Sequence, residues 1–210
     1  MTWNRRHKTA GRRLLPNRFR RHPVASLLAL GVVLLITAER LGWVSLPGPA
    51  GNDYQRYDGR ITVVTRVIDG DTLDIAIPDA DKPTTRVRLW GVDTPEVAGP
   101  FTEQMYFGPE ASAFTHNMMQ DREARIELSR IDTRDRYGRL LAYVYRADTG
   151  EMLNETLLRS GYAYADPRFD HEHKREFAQL EREARENHAG LWAEVTREQY
   201  PGWKRRDRAR

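Results

Sequence analysis

The chain has 210 residues, enough for one domain of ordinary size plus an appendage but not for a second globular domain. It contains no cysteine, which excludes disulfide frameworks, zinc fingers and thiol nucleophiles. Its formal net charge of +4 is unevenly placed: residues 1–22 carry eight Lys or Arg and no acid, whereas from residue 51 onward 25 basic residues face 29 acidic ones, so any affinity of the folded part for a polyanion must come from local placement of charge.

In chain order, the basic segment 1–22 precedes an almost wholly apolar run at 23–38 that Leu41 to Leu46 could extend, which predicts a transmembrane anchor or signal sequence over 23–44. An uncleaved anchor is the favoured outcome, because no small-residue cleavage site stands next to the run; a cleaved export signal is the alternative. The positive flank would stay cytoplasmic and the rest of the chain would face outward. Residues 45–59 are rich in turn formers and read as a linker. From residue 60 the pattern turns to β-branched residues in near-alternation, predicting strands at 60–68, 72–77 and 84–92, with later strands at 124–131 and 139–146. Asp69-Gly70 between the first two is a hairpin signal of type I′. Helices are expected from Gly108-Pro109-Glu110 to about residue 120, over 153–160 ending at Gly161, and from an N-cap at Asp170 to about residue 188, with Phe177, Leu180 and Ala184 on one stripe. Five strands and three helices in this order suit an α+β domain at 60–193, mainly a five-stranded Greek-key barrel, followed by a basic, solvated tail at 194–210.

Two acidic clusters, Asp69-Gly70-Asp71 and Asp93-Thr94-Pro95-Glu96, bracket Arg88. Oxygen ligands suit a hard divalent cation, and Asp71 with Asp93 offers two carboxylates with Glu96 to spare. Strand alternation places Asp71 on the apolar face with Leu73 and Ile75, where a carboxylate needs a partner or a metal. Arg88 and Arg139 can clamp a phosphate through two parallel N–H groups, as a lysine cannot. Arg86 reads as surface. The stretch from Asp132 to Arg139 could be a charged loop and nothing more. His171 and His173, two apart, read as surface helix residues and not as a metal pair, and Trp90, Trp192 and Tyr143 as core or barrel surface and not as base-stacking platforms.

The pieces Val67-Ile68-Asp69-Gly70-Asp71-Thr72, residues 88–96, 107–114, Asp135-Arg136-Tyr137-Gly138-Arg139, 141–145 and Gly190-Leu191-Trp192 together resemble the staphylococcal nuclease (thermonuclease) family over about residues 60–193. The resemblance implies an OB-fold and a calcium-dependent endonuclease acting on DNA and RNA. It implies Ca²⁺ held by Asp71, Asp93 and the carbonyl of Thr94, Glu96 as general base, Arg88 and Arg139 on the scissile phosphate, and Arg136 and Tyr137 beside a terminal phosphate. The family's further phosphate-site tyrosines have no clear match in the stretch from Tyr164 to Phe169. Single strands would be the preferred substrate, the protein a monomer, and 3′-phosphates the product. The alternative is a catalytically inactive OB-fold binding module tethered to a membrane, which would show losses at the metal or arginine positions; the chain has none.

Overall fold

A computed structural model describes residues 50–100 and 102–207. The predicted basic segment 1–22 and the anchor or signal at 23–44 lie outside the described residues, as does the start of the expected linker. No helix among the described residues is long and apolar enough to cross a membrane.

Five strands close into a barrel: β1 (Ile61–Val67), β2 (Thr72–Ile75), β3 (Thr85–Leu89), β5 (Glu123–Leu128) and β6 (Leu140–Arg146), in the order β1-β2-β3-β6-β5 with β5 returning to β1. The β3–β6 pairing is parallel and the others are antiparallel. Closure leaves no free edge, and the inward positions Val64, Leu73, Ile75, Val87, Leu89, Ile126, Leu140 and Val144 are fully or almost fully buried. The predicted third strand is cut short at Gly91, whose φ of +78° a side chain would resist; the chain then forms β4 (Val92–Asp93), which pairs with β7 (Tyr164–Ala165) outside the barrel.

The turn between β1 and β2 is not of type I′, since neither Asp69 nor Gly70 has positive φ. The Asp69 carboxylate instead accepts the Asp71 N–H at 3.0 Å, and the Thr72 carbonyl accepts from Ile68 at 2.9 Å, so an aspartate side chain closes the turn.

The three predicted helices are present as α2 (Gly108–Met119), α3 (Leu153–Arg159) and α4 (Lys174–Glu186). Buried Asn154 fastens α3 to the barrel, its amide donating to the Trp90 carbonyl at 2.9 Å and accepting from Val144 N–H at 3.1 Å. The stripe Phe177, Leu180 and Ala184 of α4 is buried as expected. Its N-cap is His173 and not Asp170, because the His171 ring is drawn into the core and the chain must turn over it before the helix can begin.

Two elements contradict the reading of their segments. Residues 50–57, expected as linker, form helix α1 (Ala50–Tyr57), and Tyr57 is fully buried in the main core with its hydroxyl accepting from Thr85. One large apolar side chain entering the core stabilises the helix by about 2–3 kcal/mol, which outweighs the poor local propensity. The tail, expected to be solvated, folds back as a 3-10 turn at Arg197–Gln199 and helix α5 (Gly202–Asp207), with Trp203 packed beside Trp192 and Tyr164.

Candidate active site

Strand register brings the two acidic clusters together. Thr72 pairs with Arg88 across β2–β3, and the Leu89 N–H donates to the Asp71 carbonyl at 2.8 Å, so Asp71 stands directly beside Arg88. Asp93 follows the Gly91 bend on β4. Thr94 closes the gap: its N–H donates to Asp71 Oδ2 at 2.8 Å and its hydroxyl to the same oxygen at 3.2 Å. Two glycines permit the approach. A Cβ on Gly70 would lie 2.6 Å from the Thr94 hydroxyl oxygen, and a Cβ on Gly108 would lie 2.1 Å from the carbonyl oxygen of Glu96. Helix α2 pins the same turn through Thr115, whose hydroxyl donates to the Gly70 carbonyl at 2.6 Å.

The result is a cleft of about 680 Å³ that gathers Asp71, Arg88, Asp93, Glu96, Arg136, Tyr137 and Arg139; of the predicted site residues only Thr94 is outside its lining, buried beside Asp71. Asp71 is nearly fully buried, and the Arg88 guanidinium bridges it to Asp93, one terminal nitrogen contacting Asp71 Oδ1 and the other donating to Asp93 Oδ1 at 2.7 Å. Glu96 reaches solvent, yet its carboxyl is pushed up from the usual range, first by desolvation in the cleft and then by the Asp69 and Asp93 charges, with Arg88 and Arg139 pulling the other way. Asp69 is likewise pushed up by burial against the pull of Arg88.

Arg139 comes from the loop before β6. Asp135 orders that loop: one carboxylate oxygen accepts the N–H groups of Tyr137 at 2.9 Å and Arg139 at 3.0 Å, and the other accepts Arg139 Nε at 2.7 Å. Because Nε is engaged, the two terminal nitrogens of Arg139 remain for a ligand. Arg136 and Tyr137 are exposed on the rim and bonded to each other at 2.7 Å. Arg134 ties the loop to α1 and to the β2–β3 connection, meeting Asp53 at 2.8 Å and Asp79 at 2.6 Å. The stretch is therefore an ordered platform.

Sequence reasoning missed several residues. Asp69, which the sequence explains by the turn alone, also lines the cleft. Arg168 and Phe169 line it as well, on the stretch where no phenol could be matched; Tyr164 is fully buried against Trp192 and does not face the cleft. Trp203 donates from its indole nitrogen to Asp93 Oδ2 at 2.8 Å, a contact across 110 positions that no local pattern announces. His171 is buried, not a surface helix residue: a Cβ on Gly91 would meet its ring at 2.5 Å, and burial lowers its pKa. Arg86 is half exposed, as read, and pairs with its cross-strand neighbour Asp74 at 2.9 Å, away from the cleft. Trp90, Trp192 and Tyr143 are buried, as expected.

The donor set suits a hard divalent cation. Asp71 and Asp93 converge on one cationic group already, the Arg88 guanidinium, and Glu96 stands in the same cleft, where desolvation first and the Asp69 and Asp93 charges second raise its pKa.

Comparison with known proteins agrees with this geometry. Residues 86–194 match the family described as staphylococcal nuclease homologue. A protein named thermonuclease from Staphylococcus intermedius is 36% identical over 168 residues, covering 79% of this chain and 94% of that protein. Thermonuclease from Staphylococcus hyicus is 37% identical over 131 residues, 62% of this chain and 74% of its own length. Endonuclease YncB from Bacillus subtilis (strain 168) is 34% identical over 148 residues, 69% of this chain and 68% of its own.

Proposed function

Because the chain belongs to the staphylococcal nuclease family, we propose that it is a calcium-dependent endonuclease that hydrolyses phosphodiester bonds of DNA and RNA with little base specificity, leaving 3′-phosphates. The observation that carries this reading is the convergence of Asp71, Asp93, Glu96, Arg88 and Arg139 on one cleft. A calcium ion held by Asp71, Asp93 and the Thr94 carbonyl would polarise a phosphoryl oxygen as a Lewis acid.

The chain's own residues do the rest. Glu96, whose carboxyl is raised above its usual range by desolvation and by the Asp69 and Asp93 charges, takes a proton from the attacking water. Arg139, fixed through Nε by Asp135, presents two terminal N–H groups to the phosphate, and Arg88 adds a second guanidinium; both favour the extra negative charge of the pentacovalent transition state over the ground state. The water oxygen bonds to phosphorus as the P–O5′ bond breaks, and the departing 5′-oxygen takes up a proton from solvent to leave as a hydroxyl. Arg136 and Tyr137 hold a neighbouring phosphate at the rim. Single strands are preferred because a metal-centred cleft reaches a splayed backbone more readily than a duplex. The protein acts as a monomer, with residues 23–44 as an anchor or export signal and the catalytic domain outside the cytoplasm.

Nuclease assays with calcium, with magnesium and after chelation test the reading: calcium should support activity far better, since magnesium demands tighter octahedral geometry. Equal rates in magnesium alone would overturn the calcium assignment, and end-group analysis of the products checks the 3′-phosphate. Full-length protein should fractionate with membranes and resist high salt, whereas a soluble product with a new amino terminus near residue 39 or 51 would show signal cleavage.

A further inference from the structure

A second groove, of about 630 Å³, adjoins the catalytic cleft at Asp166, which lines both. Helix α4 supplies Lys174, Arg175, Arg182 and Arg185 to its walls, and the folded-back tail supplies Arg197 and Lys204. Its two acids are already engaged. Glu181 is buried and accepts from Ala165 N–H at 2.8 Å, Lys204 at 2.7 Å and Arg185 at 3.1 Å; Asp166 pairs with Arg168 at 2.6 Å. Arg175, Arg182 and Arg197 are exposed, and none has a carboxylate within ion-pair distance among the described residues. Arg175 and Arg182 are seven apart, hence on the same face of α4 about 10 Å from each other along its axis. In a folded part whose acidic residues outnumber its basic ones, this concentration of unneutralised guanidinium groups is a local departure from the average field.

Resting on the nuclease reading, we propose that the groove holds the phosphate backbone of the single strand flanking the scissile bond, so that the substrate is a polynucleotide several residues longer than the catalytic cleft itself accommodates. The strand leaves the cleft past Arg168, which stands 3.4 Å from Asp93, and runs between α4 and the tail. Guanidinium groups suit this task because they bind phosphate oxygens through paired N–H donors without reading bases.

The test compares wild type with Arg175→Glu/Arg197→Glu, and with the milder Arg175→Gln/Arg197→Gln, on a dinucleotide and on an oligodeoxynucleotide of about 16 residues. Cleavage is measured in calcium, and binding of the labelled long strand by anisotropy under chelation. The charge-reversed pair should lower kcat/KM on the long strand at least tenfold through KM, leave the dinucleotide unchanged, and flatten the log–log salt dependence of binding by about 0.7 for each lost contact. Long-strand binding and cleavage equal to wild type, or equal losses on both substrates, would overturn the proposal. If wild type cleaves neither substrate while long-strand binding still depends on the pair, the nuclease reading fails and the groove stands.

Discussion

The indole nitrogen of Trp203 donates to Oδ2 of Asp93 at 2.8 Å, while Arg88 donates to Oδ1 of the same carboxylate at 2.7 Å. The Arg168 guanidinium stacks on the Trp203 ring, 4.7 Å from its centroid, and stands 3.4 Å from Oδ1. Asp93 is thus oriented by β3, by the stretch after β7 and by the folded-back tail, which leaves its carboxylate little rotational freedom. Groups that orient a ligating carboxylate matter to metal affinity nearly as much as the ligand itself.

Trp203→Phe keeps an aromatic face for Arg168 but removes the N–H donor. Calcium affinity measured by calorimetry should fall by roughly 10- to 100-fold with the thermal midpoint little changed. Unchanged affinity would show that the tail covers the site without tuning it.

Asp71 carries a stability prediction as well as a catalytic one. Two neighbouring carboxylates read from the sequence alone suggest repulsion, and therefore a gain in stability on removing one. The structure reverses that expectation, because Arg88 lies between them with its side chain only 14% exposed. Asp71→Ala removes one partner of a largely buried guanidinium and also frees the Thr94 N–H, so it should abolish cleavage and destabilise the domain by about 3 kcal/mol or more. Urea unfolding under chelation measures this; a midpoint at or above wild type would contradict it.

The barrel was legible because β-strands of one buried face leave a period of two, and all five predicted strands overlap observed ones. The meeting of Asp71, Arg88 and Asp93 in one cleft was legible because a carboxylate on an apolar strand face needs a partner and because the two acidic clusters bracket one arginine at a strand end. What escaped shares one physical character. Tyr57 enters the core from a helix of eight residues within a turn-rich stretch, and Trp203 reaches Asp93 from the far end of the chain. Neither contact imposes a repeat on its neighbours. His171 escapes helical spacing because the helix starts only at Lys174, and the ring before it is buried under Gly91, a contact that leaves no pattern in the local sequence.

His171 gives a pH dependence. Its pKa is lowered from 6.5 by burial and by the His173 and Lys174 charges, with Glu172 and Asp166 opposing; Tyr143 packs on the ring, its hydroxyl 3.4 Å from Nδ1. Below pH 6.5 the unfolded chain therefore binds a proton that the folded domain refuses, so stability falls as pH drops through that value toward the lower folded pKa. Urea midpoints between pH 7.5 and 5 should decline, and the decline should be shallower in His171→Gln even if that variant starts lower. An NMR titration placing the His171 pKa above 6.5 would refute the assignment.

The base and the clamp can be separated by three substitutions. Glu96→Gln keeps shape and hydrogen bonding but cannot accept a proton, so turnover should fall roughly 10²- to 10⁴-fold while binding of a single strand under chelation barely changes. Arg139→Lys keeps the charge but not the fork. An arginine can give Nε to Asp135 and still offer two terminal nitrogens to phosphate, whereas a lysine has one nitrogen for both and cannot present two parallel N–H groups. Turnover should therefore fall about 10²-fold or more, with Glu96→Gln/Arg139→Lys showing whether the losses add. Arg86→Lys is the control: Arg86, itself half exposed, pairs with the buried Asp74 outside the cleft, so the substitution should leave turnover near wild type whatever it costs in stability. Steady-state rates on one defined oligonucleotide decide the matter, and a silent Arg139→Lys beside a crippled Arg86→Lys would mean that the transition-state clamp lies on β3 alone.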